Sequence, residues 1–510
     1  MKAKYIITIC LLMIVFISCD KDFLECPPLT EASSVTFFKN ASEATMAVNG
    51  VYNSLYLYNY IFEWEDALTD NETWNEEGGT WTYGGLANYA ETAAGNNAYT
   101  YRMWGKGYRT IQRANTAIEG ISAMDASLID DDTRNVLIAE CRFLRAWQYH
   151  LLAWRFGGVP ILLDPVGEQE LTPARNTKEE VVQQIIDDYT FASQHLPDTW
   201  SGNDLGRAHK GAALGMLAEE YLWNKQWANA ANAAKQVIDN SNYGLLDNYQ
   251  DLFTPGINNT KEDLFGVQYW TANGAYGSYY RYRWFRAPAS NTARAGYEFH
   301  LALQDLVNEF ENSDGTPFDP TGIDVTTDDS QYENRDPRLW STVFYNGADI
   351  YGQPYNRSWS RTGYAWRKYS CSKNDPLLVG SSIPMNWKVM RYAEVLLFYA
   401  EAKNETDGPT QDVYNAINQV RSRVGMPDLP TGLTKDEMRE RIYHERRVEF
   451  ASEGVHLEDL IRWRRLEVVE NRHLSAGCTY HTDFEEFEYL WPIPQTEIDV
   501  NPNLEQNPGY

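Results

Sequence analysis

Apolar residues recur three and four positions apart over several long stretches of the chain, which is the pattern of amphipathic helices. Residues 130–155 predict one such helix, with an apolar face that extends from Leu137 to Leu151. Gly157 and Gly158 should end it, because glycine adopts the backbone conformation of a helix C-cap without strain.

Two Thr-to-Glu spacings of three residues are typical of capping boxes, in which each side chain binds the backbone N–H of the other residue. They are Thr177 with Glu180 and Thr434 with Glu437. Each spacing predicts the start of a further helix.

Two stretches predict pairs of antiparallel helices, one at 210–240 and one that combines 392–405 with 412–423. In the first stretch small residues alternate with larger apolar ones. Small residues let helices approach closely, as in tetratricopeptide units. Few segments show the alternation of apolar and polar residues that is typical of a β-strand. We therefore predict a mostly α-helical fold, with a tetratricopeptide-like scaffold and long aromatic-rich loop insertions.

Aromatic residues are concentrated in the predicted loops. The chain has 17 Trp and 34 Tyr, and many lie in Gly-, Asn- and Ser-rich stretches at 70–101, 269–297 and 351–366. Loops this long in a compact protein are usually functional. Aromatic faces suit the C–H faces of sugar rings, and neighbouring amides and carboxylates suit sugar hydroxyls. These loops are therefore candidate glycan-binding segments.

The N-terminus has the features of an export signal. Two lysines precede an apolar run at 5–17, which is too short for a comfortable transmembrane helix. The run ends at Ser18-Cys19, which resembles a bacterial lipobox, so we predict that residues 1–18 are removed and that Cys19 is lipidated. An ordinary signal peptide with an incidental Cys19 is the alternative. No later apolar segment is long enough to span a bilayer.

The formal net charge is −27, and it becomes −29 without the two lysines of the signal. Such an acidic surface repels phosphate backbones, which argues against nucleic acid as a partner. After Cys19 the chain has four cysteines, without the paired spacing of a zinc site or a redox motif: Cys26, Cys141, Cys371 and Cys478. We expect free thiols, although an exported protein permits a disulfide.

A series of motifs follows in order along the chain. They lie at 140–146, 336–339, 391–402, 418–425, 445–463 and 491–510, and the last ends in Gln506-Asn507-Pro508-Gly509-Tyr510. Together with the lipobox they resemble the SusD/RagB family over essentially the whole chain. His456 stands where the family usually has Arg, and Cys141 where it favours a small apolar residue. Neither departure changes the assignment.

The resemblance implies a lipid-anchored protein of the cell outer membrane that faces the outside of the cell. Such a protein captures oligosaccharide or polysaccharide and delivers it to a SusC-like TonB-dependent transporter, on which it acts as a lid. The resemblance also implies a signal peptide at 1–18, an N-terminal part at 19–260 and a C-terminal part at 261–510. The two parts should pack as one globular unit.

In the resembled family the glycan lies against aromatic residues from an early loop and a mid-chain insertion. The rings of this chain in those two regions are Trp74, Trp81 and Tyr83, and Tyr279, Tyr280 and Trp284. Trp359 of the third stretch is a further candidate, and Asn71, Asn75 and Arg286 are candidate contacts for sugar hydroxyls. For each ring the alternative is packing under a loop, or contact with the transporter.

The segment at 445–462 is rich in Glu and Arg three and four residues apart. We predict a helix with structural ion pairs there. His444-Glu445 begins like a zinc-protease helix, but Val448 occupies the position of the second histidine, which excludes that motif.

Signatures of enzymes are missing from the sequence, which has no GxSxG, HExxH, Walker or Rossmann pattern. We therefore expect a binding protein rather than an enzyme, with no cofactor and no recognisable metal site. Two alternatives stay open. A secreted helical glycoside hydrolase would need two facing carboxylates, and a tetratricopeptide-type protein-interaction scaffold would bind no sugar.

Overall fold

The computed structural model describes residues 37–56, 65–74, 98–165, 171–270, 300–350, 352–370, 383–471 and 484–510. Within these ranges the chain is mostly α-helical, which confirms the predicted fold class. The helices are α1 (Ala41–Asn53), α2 (Ala98–Ser122), α3 (Asp131–Phe156), α4 (Lys178–His195), α5 (Lys210–Trp223), α6 (Trp227–Ile238), α7 (Gln304–Glu309), α8 (Pro337–Thr342), α9 (Tyr392–Asp407), α10 (Gln411–Arg423), α11 (Lys435–Phe450), α12 (His456–Trp463) and α13 (Gln495–Val500). The strands are β1 (Glu72–Trp74), β2 (Asp263–Val267), β3 (His300–Ala302), β4 (Val343–Phe344), β5 (Ala365–Trp366) and β6 (Trp387–Arg391).

Helix α3 is the helix predicted at 130–155. It begins where the side chain of Asp130 accepts a hydrogen bond from the backbone N–H of Thr133 at 2.9 Å. It ends at Gly157, whose φ of 76° is strained for any residue with a Cβ. Between Leu137 and Phe156 all residues but one are buried, so α3 lies in the centre of the core.

The two predicted capping boxes are both formed, at the starts of α4 and α11. In each of them the Thr hydroxyl accepts from the backbone N–H of the Glu, and the Glu carboxylate accepts from the backbone N–H of the Thr. Among the described helices, none is both long and apolar enough to cross a membrane.

The two predicted helix pairs are α5 with α6 and α9 with α10, and α9 also packs against α6. The small residues of the first pair are buried at its contacts. Gly215 shows how close the packing is, because a Cβ at that position would lie 2.5 Å from the sulfur of Met390. A bulkier residue there would displace the side chain of Met390.

Helices from the N-terminal part share one apolar core with strands from the C-terminal part. Phe265 of β2 packs edge-on against Phe143 and Trp147 of α3, with ring centroids 4.8 and 5.5 Å apart. Strand β2 pairs antiparallel with β6, where Val267 lies opposite Trp387. The division of the chain at residue 260 stays a prediction.

Three expectations about individual segments are wrong. The single helix predicted at 445–462 is two helices, α11 and α12, because the chain turns where Ser452 and Gly454 have φ of 71° and 80°. The loop predicted at 70–101 contains β1, and its end is the first turn of α2. Most rings of the described patch at 352–366 are core residues, since Tyr355, Tyr364 and Trp366 are buried.

Candidate functional site

Strands β1 and β3 join the bases of two predicted aromatic segments. They pair antiparallel, with Glu72 opposite Ala302 and Trp74 opposite His300. The chain leaves β1 at Trp74 into the first segment and enters β3 at His300 from the second. The backbone pairing therefore places the start of one segment beside the end of the other.

Most of the predicted ligand residues lie outside the described residues, and their roles stay predictions. These are Asn75, Trp81, Tyr83, Tyr279, Tyr280, Trp284 and Arg286, together with the lipidation residue Cys19. Trp74 is described by its backbone position in β1. Its contact with a ligand also stays a prediction.

Two exposed rings lie at the described edges of these aromatic segments. Trp270 is 71% exposed near the beginning of the segment at 269–297, and Tyr101 is 51% exposed in the first turn of α2. Exposed rings of this size are candidate contacts for a ligand. They were absent from the predicted set because a local sequence pattern does not distinguish an exposed ring from a buried one.

Buried polar contacts hold the strand pair in register. The imidazole Nδ1 of His300 is hydrogen-bonded to Oε1 of Glu72, and both side chains are fully buried. Just after β3, the backbone N–H of Leu303 donates to the carbonyl oxygen of Asn71 at 3.0 Å. A polar pair buried this completely resists a shift of register, because either partner alone would be left without its hydrogen bond.

Asn71, which was predicted to contact sugar hydroxyls, has a fully buried side chain. Its Oδ1 accepts a hydrogen bond from Nε of Arg447 at 2.8 Å, and its backbone N–H donates to Oγ1 of Thr69 at 3.1 Å. The structure thus directs this side chain into the protein. The sequence could not indicate this, because the partner lies far away in the chain.

Arg447 is the centre of a network that attaches the segment before β1 to helix α11. It forms ion pairs with Asp70 at 2.9 Å and with Glu309 at 2.8 Å. Asp70 also binds Nε2 of His456 in α12 at 2.8 Å. Burial opposes the charge on Asp70, but Arg447 and His456 outweigh burial and lower the pKa of that carboxyl well below its ordinary range.

Trp359 is half-buried rather than freely exposed. Its ring packs edge-on against Tyr355, with centroids 5.5 Å apart, beside the small apolar cluster that contains Phe344 and Ile350. Part of this ring is therefore committed to packing. Its contact with a glycan stays a prediction.

The charged segment of α11 is an internal ion-pair cluster. Glu449 is fully buried and binds Arg338 at 3.1 Å, Arg391 at 3.0 Å and also Arg423. Burial raises the pKa of Glu449, but the three guanidinium groups outweigh burial and lower it well below the ordinary range. A glycosidase general acid needs the opposite shift, so the arrangement agrees with the structural role predicted for this segment.

A cavity of about 220 Å³ opens between the start of α5 and the strands β2 and β6. Its lining includes Trp200, Gln268 and Asn386, and none of the predicted ligand residues. The amides bind each other, since Nδ2 of Asn386 donates to Oε1 of Gln268 at 2.7 Å. The cavity is below the roughly 300–1,000 Å³ of ordinary ligand pockets, so it is too small to enclose an oligosaccharide.

Comparison with known proteins gives a consistent result along the chain. A family model described as the SusD family matches residues 261–510, and one described as starch-binding associating with outer membrane matches residues 22–222. A SusD-like protein of Formosa agariphila is 26% identical over 549 residues, covering 100% of both chains. A SusD-like protein of Bacteroides ovatus is 26% identical and covers 91% of this chain and 83% of its own. The solved structure of a SusD-like carbohydrate-binding protein of Bacteroides fragilis superposes with a TM-score of 0.80 at 28% identity, covering 92% of this chain and 100% of that one.

Proposed function

The chain belongs to the SusD/RagB family, and we propose that it is a cell-surface lipoprotein that binds oligosaccharide or polysaccharide without cleaving it. The glycan lies against aromatic rings of the two segments that meet at β1 and β3. The protein delivers the glycan to a SusC-like TonB-dependent transporter in the outer membrane and acts as the lid of that transporter.

The pairing of Trp74 with His300 is the observation that carries the proposed site. It supports a single binding face built from two aromatic segments that are distant in sequence. The exposed rings of Trp270 and Tyr101 lie, in sequence, at the described ends of those two segments. Next to β1, the bonds of Arg447 to Asp70 and Asn71 supply a rigid support. Binding sites perform best on rigid elements with a supporting shell of hydrogen bonds.

An open aromatic face is suited to capture followed by release. Stacking on a few rings supplies attraction, while the hydroxyls on the other face of the sugar stay in contact with water. The measured affinity reflects the attractive free energy that remains after the cost of ordering the ligand is subtracted. We therefore expect weak to moderate affinity, which allows the protein to pass its ligand to the transporter.

Lipidation of Cys19 would hold the protein at the membrane. Each buried methylene contributes about 0.8 kcal/mol, and several acyl chains together give stable attachment. A tether at the N-terminus leaves the helical body free to swing over a barrel while remaining close to it.

Non-catalytic binding is favoured by the state of the buried carboxylates around Glu449. They are paired with guanidinium groups, and the pKa of Glu449 is lowered rather than raised. A helical glycoside hydrolase is the second candidate, and a protein-interaction scaffold is the third.

The test is a titration of the full chain, kept in detergent, against a panel of plant, host and microbial polysaccharides. We expect saturable binding to at least one glycan, with no new reducing ends after prolonged incubation. Release of reducing ends would replace the proposal with the hydrolase. Failure to bind any glycan, combined with saturable binding of a peptide, would replace it with the scaffold. Copurification with a TonB-dependent barrel from native membranes tests the transporter partner separately.

A further inference from the structure

Three titratable side chains, one from each of three helices, converge on a common space. His150 of α3, Glu219 of α5 and Glu458 of α12 each direct one potential ligand atom into a common space, and these atoms all lie within 4.8 Å of one another. The imidazole Nε2 of His150 is 4.0 Å from Oε1 of Glu219. That distance is too long for a hydrogen bond, but it suits two atoms that bind the same ion.

The orientation of His150 is fixed from its other side. Nδ1 lies 2.7 Å from Oε2 of Glu220, whose second oxygen accepts from Nδ2 of Asn224 at 2.9 Å. A carboxylate accepts hydrogen bonds and does not donate them, so the proton of the neutral ring lies on Nδ1. The lone pair of Nε2 then points toward Glu219 and Glu458. Histidine ligands of metals are usually held by a carboxylate in this way.

The common space is a small, partly open pocket. Its volume is about 30 Å³, and its walls include His150, Glu219, Glu458 and the ring of Trp147. A site of this size holds an ion and one water molecule, since a water needs roughly 10–15 Å³ of such volume. Lys388 also lines the cavity, but its ammonium group forms an ion pair with Asp263.

The two carboxylates are poorly compensated by the residues around them. His150 is 5% exposed, and no hydrogen bond from another described side chain reaches the carboxylates of Glu219 and Glu458. Glu219 and Glu458 are half-buried beside the buried His150, and two neighbouring carboxylates repel each other unless a proton or a cation joins them.

We propose that His150, Glu219 and Glu458 bind a divalent transition-metal ion, for which Zn²⁺ is the best fit. One imidazole with two carboxylates suits zinc, which takes nitrogen and oxygen ligands at about 2.0–2.2 Å and accepts water as a fourth ligand. Calcium and magnesium prefer sites made of oxygen alone. The ion would join α3 and α5 to α12, and so link the N-terminal helices to the C-terminal part of the chain.

The site is distinct from the proposed glycan face, and the inference does not depend on glycan binding. Its three ligands come from positions far apart in the sequence, and none of them is spaced as a zinc motif. This explains why the sequence predicted no metal site.

The test uses the full chain in detergent, without a polyhistidine tag and after removal of metals with a chelator. Calorimetric titration with Zn²⁺ should give one saturable site per chain, with stoichiometry confirmed by elemental analysis. The Glu219→Gln/Glu458→Gln double variant keeps the shape of both side chains and removes their charge, so it should fold and lose the site. Glu220→Gln should weaken zinc binding by about 10–100-fold, because Glu220 only orients the histidine.

His444 and Glu309 provide a matched control. Nε2 of His444 lies 3.9 Å from a carboxylate oxygen of Glu309, but among the described residues no third ligand completes a metal-binding cluster there. Glu309→Gln should bind Zn²⁺ as the unaltered chain does. X-ray absorption at the zinc edge should show one imidazole together with oxygen ligands. Equal zinc affinity in the unaltered chain and the folded double variant, or a bound zinc without an imidazole ligand, would overturn the proposal.

Discussion

Arg447 donates from Nε to the side-chain oxygen of Asn71 at 2.8 Å, across 376 residues of sequence. This bond, with the ion pair between Arg447 and Asp70, attaches the segment before β1 to α11. The ion-pair helix and the proposed glycan face are therefore mechanically connected. A change at Arg447 should affect both stability and binding.

Arg447→Ala should lower the free energy of unfolding by about 1–3 kcal/mol, because it removes the hydrogen bond to the buried side chain of Asn71 and the ion pair to Asp70. Glycan affinity of the folded fraction should also fall, since β1 loses its support. Denaturant unfolding and calorimetry measure the two effects. Arg447→Lys keeps the charge but not the planar fork, so partial recovery of both is expected. If a folded Arg447→Ala chain bound glycan with unchanged affinity, the Arg447 network would not support the binding face.

Trp81→Ala should leave the fold intact and weaken glycan binding. In the sequence Trp81 stands between glycine pairs at 78–79 and 84–85, a pattern that predicts a loop and suits a presented ring. The expected loss is about 1–3 kcal/mol, by analogy with other stacked ligands. Circular dichroism checks the fold, and calorimetry with the cognate glycan measures the loss.

Trp340→Ala is the matched control for that experiment, because Trp340 is an exposed ring that stacks on Arg367 in the C-terminal part. It should bind glycan normally. If Trp81→Ala also binds normally, the site moves to the segment that contains Tyr279, Tyr280 and Trp284. If a double variant that lacks both Trp81 and Trp284 binds glycan normally, then stacking on the rings of these segments does not contribute to binding.

Arg446→Ala should be strongly destabilising, by about 3–5 kcal/mol. Arg446 is buried between Asp459 at 2.7 Å and Glu394 at 2.9 Å. Its removal leaves Glu394 without its ion pair in the interior, whereas Asp459 keeps its pair with Arg462 at 2.9 Å. Glu440→Ala is a control on the same helix, because Glu440 pairs with Arg465 at the surface. Exposed pairs contribute about 1 kcal/mol or less. Similar losses from both variants would show that burial does not govern these pairs.

The contribution of Glu449 to stability should depend on pH. Its pKa is lowered in the folded chain, so its ion pairs stabilise the fold above the unfolded pKa of about 4.3 and are lost as pH falls toward the folded value. The difference in unfolding free energy between the unaltered chain and Glu449→Gln should therefore be larger at pH 7 than at pH 3. Chemical denaturation at both values measures it. A difference that does not change with pH would contradict the lowered pKa.

Cys19→Ala should leave the protein without acyl chains and release it from the membrane fraction. The apolar run that ends at Ser18-Cys19 motivates this expectation. Mass spectrometry of the mature N-terminus and fractionation of cells give the result. Ser18→Ala keeps a small residue before the cysteine and serves as the control. Membrane attachment that persists unchanged in Cys19→Ala would contradict lipidation at this residue.

The sequence by itself determined the features that depend on neighbouring residues. Helix α3, both capping boxes and both helix pairs follow from periodicities and caps within a few turns, and the structure confirms them. The order of motifs was sufficient to indicate the family. The break between α11 and α12 was missed even though Gly454 marks it, because charged residues continue on both sides.

The tertiary structure decided the features that depend on residues far apart in the chain. The pairing of Trp74 with His300, the burial of Asn71 against Arg447, and the approach of His150 to Glu219 and Glu458 leave no local pattern. Periodicity reports which face of an element is apolar, but not which distant element covers it. Whether a ring binds a ligand or packs in the core, and whether a carboxylate is paired or free, is set by that distant element.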